Sequence, residues 1–110
     1  AYKLIKKAVD LKPEDGFIRD SLAWYYFKSG KLADALRESK RANEAVGNDV
    51  VITKHLAIIY KKMKNYTLAK KYYLKALKQC KVESERREVL AELQDLEVVR
   101  LPASKKPTTN

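Results

Sequence analysis

The chain has 110 residues, a formal net charge of +10 and a single cysteine, so it holds one domain or a short solenoid and no internal disulfide. Its apolar runs are a few residues long, too short to cross a membrane. With 35% charged residues and only three glycines, the composition points to helix.

Residues 1–11 place Ala1, Leu4, Ile5, Ala8 and Val9 on one helical stripe, with Lys3, Lys6, Lys7 and Lys12 outside it. Pro13 ends this helix, and Glu14-Asp15-Gly16 makes a turn. The spacing predicts a second helix over 17–29, stopped by Gly30 in the left-handed conformation. A third helix is predicted over 32–46, ended by Gly47, with Asn48-Asp49 capping the next. Ala23, Ala35 and Ala42 stand where two helices cross closely, since a larger side chain would hold the pair apart.

The plan repeats over 51–62 and 67–80, with Lys64-Asn65 in place of the glycine turn and Asn65 expected to take the left-handed conformation. A last helix is expected over 84–99, with Val89, Leu90, Leu93, Leu96 and Val99 apolar and Glu85, Glu88, Glu92 and Asp95 polar. That composition suits a cap, which covers one neighbour and faces water on the other side. The basic tail, 100–110, shows no periodicity. Nine lysines and no acid lie between Val50 and Val82, whereas six acids lie between Glu83 and Glu97. Such blocks favour pairing within the chain or with a partner.

Sliding the chain by 34 residues superposes its small and aromatic positions. Ala1, Ala35 and Ala69 coincide, as do Ala8, Ala42 and Ala76, while Leu22, Ala23 and Tyr26 land on Leu56, Ala57 and Tyr60. A period of this length marks a stacked repeat. These residues, with Tyr73, resemble the tetratricopeptide repeat family. The resemblance covers 1–99 and implies an all-α, right-handed solenoid of antiparallel helix pairs. Its expected units are a half repeat (1–15), two full repeats (16–49 and 50–83) and a capping helix (84–99), about six helices in all. The first helix is read as the second half of a repeat whose partner is missing. Arg19 and Thr53 at the large early position and Ser39 at a bulky one depart from the motif. So do Gly47 and Lys81, where the family often has proline. The stretch from Asp15 to Trp24 resembles repeats common in bacterial cell-envelope members, which implies a bacterial, periplasmic origin.

In this family the first helices of successive repeats line a concave groove. Helical spacing puts Phe17, Asp20, Trp24, Phe27 and Lys28 in one band of it. Val51, Lys54, Ile58, Lys61 and Lys62 form a second, and the cap acids a third. The resemblance implies a non-enzymatic scaffold binding protein or peptide, with Trp24 and Phe27 as anchors and Lys54 and Lys61 as carboxylate partners. The alternative for each is internal: Trp24 packs on neighbouring helices, and the lysines pair with cap acids. Some members clamp a chaperone's C-terminal carboxylate with Lys, Asn and Arg. Here Lys54 fits, but Ser21, His55 and Ile58 occupy the other places, so that clamp is not implied.

Two other partners follow from the residues. The lysines at 70, 71, 75, 78 and 81, beside Tyr66 and Tyr72, could meet nucleic acid. A second copy could cover the stripe of Leu4, Ile5 and Val9 or receive Lys105 and Lys106 in its groove. His55 has no nucleophile pattern around it, and Cys80 is read as a structural thiol whose neighbours Lys78 and Lys81 would lower its pKa. No spacing implies a metal or a cofactor.

Overall fold

Three of the six helices start by the same chemistry, a short polar side chain that accepts hydrogen bonds from the first free backbone amides. Asp15 accepts from the Phe17 and Ile18 amides at 2.9 and 3.1 Å, Asp49 from Ile52 at 2.9 Å, and Asn65 from Leu68 at 3.2 Å. The structure, a computed structural model, describes residues 2–100. The tail with Lys105 and Lys106 lies outside them. The helices are α1 (Tyr2–Leu11), α2 (Gly16–Lys28), α3 (Leu32–Ala45), α4 (Val50–Lys62), α5 (Tyr66–Gln79) and α6 (Glu83–Arg100). Each falls within one residue of its expected bounds where both ends are described, and no strand occurs among the described residues.

The helices pair antiparallel, α2 with α3 and α4 with α5, with α1 against α2 and α6 against α5. Ala23, Ala35, Ala42, Ala57, Ala69 and Ala76 have no exposed surface, so the expected small crossings are the contacts themselves. One core gathers Leu56, Tyr60, Tyr73, Val89 and Leu96. A second gathers Val9, Leu22, Tyr26 and Ile59. Leu36 packs against both and joins them. Val9 is thus only 4% exposed, not part of an uncovered stripe; Leu4, at 71%, is the member that faces water, and Ile5 is half-buried. Val9 lies four residues beyond Ile5, on the side that meets α2.

Two of the motif departures, Arg19 and Thr53, are compensated by polar contacts. Arg19 donates to the buried carboxylate of Glu38 at 2.5 Å and to the Pro13 carbonyl at 2.8 Å. Thr53, fully buried, donates to the Asp49 carbonyl at 2.9 Å and lies 3.4 Å from the Asn43 amide nitrogen. Ser39 stands where the next repeat has Tyr73, and its buried hydroxyl finds no partner. An orphaned hydroxyl of this kind costs about 1–3 kcal/mol.

Two turns differ from expectation. Gly16 is not a turn residue but the buried first residue of α2, pressed against the end of α3. A Cβ there would lie 2.6 Å from a Val46 methyl and 3.0 Å from the Ala42 carbonyl oxygen. The α4–α5 turn, in turn, takes Lys64 rather than Asn65 into the left-handed region, at φ 65°. Gly30, one repeat earlier, has φ 79°. Both close the same motif: Gly30 and Lys31 amides donate to Phe27 and Tyr26 carbonyls, as Lys64 and Asn65 amides do to Lys61 and Tyr60. The repeat phase, not residue preference, selects Lys64, and Asn65 is needed as the cap of α5.

Gly16→Ala is expected to lower stability by about 1–3 kcal/mol through overpacking, visible as a lower urea midpoint with unchanged slope. Lys64→Gly should raise it by about 0.5–1 kcal/mol, since relief of left-handed strain exceeds the added chain entropy.

Candidate functional site

The inner surface is made by α2, α4 and α6, in rows one repeat apart. Asp20, Lys54 and Glu88 share one row; Trp24, Ile58 and Glu92 the next; Phe27, Lys61 and Asp95 a third. The rows decide which charges meet. Lys54 donates to Glu88 at 2.6 Å, and Lys61 pairs with Asp95 and, at 3.7 Å, with Glu92. Glu92 also accepts from the buried Tyr73 hydroxyl at 2.9 Å. Lys54 and Lys61 are therefore engaged by the cap, the internal alternative of the two foreseen for them. Lys62 is exposed and makes no ion pair among the described residues.

The aromatic band is built differently. Trp24 stacks on Phe27 with ring centroids 4.7 Å apart and on His55 at 3.9 Å. The Lys28 ammonium lies 5.6 Å from the Trp24 ring, a cation–π distance. Asp20 faces His55 Nδ1 at 2.9 and 3.1 Å through its two oxygens. An ionised carboxylate only accepts, so Nδ1 carries the hydrogen. These groups open onto a pocket of about 360 Å³ that Ile5, Ser21 and Tyr25 complete. Trp24 is half-buried, packed along its faces yet open on the pocket side. Phe17, 57% exposed, is not among the pocket's walls.

Asp20, Trp24 and Lys28 are thus brought together with Phe27 behind them, while Lys54, Ile58, Lys61 and Lys62 are not. Reasoning from the sequence passed over His55 as a pocket wall. Its signal was present, because His55 follows Val51 by four residues and precedes Ile58 by three, on the mapped face. Ser21 holds the same place one repeat earlier.

Cys80 also departs from expectation. Burial, then Glu85, pushes its thiol above the ordinary value against the lowering effect of Arg86 and Lys54; Lys78 and Lys81 are not among the groups that shift it. Its Sγ lies 3.3 Å from the Ala76 carbonyl oxygen. No cluster of three or more potential metal ligands occurs among the described residues. No described helix is long and apolar enough to cross a membrane.

No known family description matches the sequence, and no curated protein does. Solved structures do. The first TPR of Spaghetti (RPAP3), solved bound to the HSP90 peptide SRMEEVD, matches with a TM-score of 0.81 and 19% identity, covering 90% of this chain and 76% of that one. The Sgt2 TPR domain from Aspergillus fumigatus matches with a TM-score of 0.77 and 17% identity, covering 99% of this chain and 74% of that one. The fold is that of tetratricopeptide repeat domains. Nothing in these comparisons supports a resemblance to bacterial cell-envelope proteins.

The pH dependence of the cap contact follows from Lys61. Burial alone would depress its ammonium, but Asp95 and Glu92 outweigh burial and leave it raised. Its contribution is complete below the unfolded-state value of about 10.4 and is lost as pH climbs through the folded value. Lys61→Gln should cost about 0.2–1 kcal/mol at neutral pH, because the pair is partly exposed. Thermal midpoints of the two proteins should converge as pH climbs through the raised folded-state value of Lys61.

Proposed function

We propose that the chain is a non-enzymatic scaffold that binds a protein or peptide partner on its inner face, with the Trp24 pocket as the principal anchor site. The observation that carries this reading is the pocket itself. It is an open recess walled by Ile5, Trp24 and Tyr25, with Asp20, His55 and Lys28 supplying polar groups at its edge. Apolar recesses with a few placed polar groups are what peptide side chains occupy. The HSP90 peptide bound by the RPAP3 domain supports the choice of ligand class. The mode differs from a carboxylate clamp, because Lys54 and Lys61 already hold Glu88 and Asp95. The partner's main contribution is then an apolar or aromatic side chain. The half repeat (1–15) contributes Ile5 to the pocket, the repeat 16–49 most of its lining, and the repeat 50–83 His55, with the cap (84–99) beyond them.

The readings through nucleic acid and self-association are weaker, and the comparisons support neither. Tyr72 is stacked on Tyr60 at 5.8 Å and overlaid by Lys71 and Lys75, which leaves its ring poorly placed to receive a base. Burial of Val9 shrinks the apolar stripe that a second copy would cover.

Peptides selected from a random library against the protein should share a bulky apolar residue. Trp24→Ala should weaken them by about tenfold or more, or about 1.4 kcal/mol and upward, with the helical circular dichroism unchanged. Selected peptides that bind the variant as tightly as the parent would refute the pocket as anchor.

A further inference from the structure

The second helix of each pair turns its alanine stripe inward, and the residues a half turn away face water. On α3 those residues are Arg37, Lys40, Arg41 and Glu44, all exposed. One repeat earlier, α1 presents Lys3, Lys6, Lys7 and Asp10, all exposed. One repeat later, α5 presents Lys71, Leu74, Lys75 and Lys78, of which only Lys75 is half-buried. The same outward positions thus carry three cations on each of three successive helices, nine against two acids.

This face differs from the inner one in how its charge is balanced. The inner lysines at 54 and 61 are held by cap carboxylates. On the outer face Arg37 pairs with Asp34 and Glu38, and Arg41 lies 3.8 Å from Glu38, a carboxylate that Arg19 already holds at 2.5 Å. The seven outer lysines make no ion pair among the described residues. Seven lysines without an ion pair, against Asp10 and Glu44, leave this side strongly positive. Within it lies a recess of about 420 Å³ whose apolar wall is Ala33, Leu36 and Met63, with three cations, Arg37, Lys40 and Arg41, and one carboxylate, Glu44, along the rim.

We infer that this outer face is a second docking surface, and that its partner is an acidic polypeptide segment carrying bulky apolar residues between its carboxylates. Charge complementarity sets the acidic character. The apolar recess in its middle selects a polypeptide, because a sugar–phosphate backbone has no side chain to place there. The exposed Leu74 on α5 gives the same segment another apolar contact. The Tyr72 ring, covered by Tyr60 and by two ammonium groups, offers no stacking platform for bases. This surface is independent of the Trp24 pocket.

The test is fluorescence anisotropy of a labelled peptide of Glu, Asp and Leu against the full chain, with single-stranded DNA and phosphatidylserine vesicles as rival probes. The triple variant Lys40→Gln, Lys71→Gln, Lys78→Gln should weaken the peptide by about tenfold or more. The equally charged control Lys12→Gln, Lys31→Gln, Lys62→Gln, outside the three outward stripes, should change it less than about twofold. Replacing the peptide's Leu with Gly should also weaken it, and Trp24→Ala should not. The inference fails if the peptide does not bind at low salt, or if both triple variants weaken it equally. It also fails if the Leu-to-Gly peptide binds as well, or if DNA or vesicles bind more tightly. Matching thermal midpoints confirm that the variants are folded.

Discussion

The structure depends on the close approach of paired helices at positions that tolerate nothing larger than a methyl group. Ala35 and Ala69 do this in the two full repeats, and Ala42 and Ala76 do it again two turns on. Gly16 carries the requirement further, since even a methyl would strike Val46. Once the axes are that close, which residues face in and which face out is decided by helical geometry. The inner rows and the outer basic stripes are both consequences. They repeat because the contact repeats.

The rows also explain how a chain with strong charge blocks folds without strain. Lys54 and Lys61 precede Glu88 and Asp95 by one repeat, so stacking brings each lysine beside an acid. The cap is therefore held by its apolar face, with Val89 and Leu96 buried, and steered by charge. Exposed pairs of this kind stabilise modestly but disfavour wrong registers. The α5 lysines at 71, 75 and 78 have no such counterpart, which is why positive potential accumulates outside while the inner face is nearly neutralised. The Trp24 pocket is left as the inner region where apolar surface and polar edge groups coexist.

Within the motif's departures, compensation is local. Arg19 and Glu38 fill the space of a missing bulky contact with a buried ion pair, and such pairs contribute more to a unique arrangement than to net stability. Ser39 is left with an orphaned hydroxyl where Tyr73 packs one repeat later.

The helices, their pairing and their phase were legible in the amino-acid order, because alanine spacing and the 34-residue period are local records of close packing. The three bands of the groove were legible for the same reason. Which band stays open was not. Whether Lys54 meets a ligand or Glu88 depends on the separation of α4 and α6, a distance between segments that no single helix encodes. His55 became a pocket wall only when α2 and α4 placed Trp24 and Asp20 against it. Gly16 read as a turn because its restriction comes from α3, and Lys64 took the left-handed place because the repeat phase outweighed the preference of Asn65. The sequence by itself determined the solenoid and its faces. Tertiary packing decided which charges are neutralised and which recesses remain.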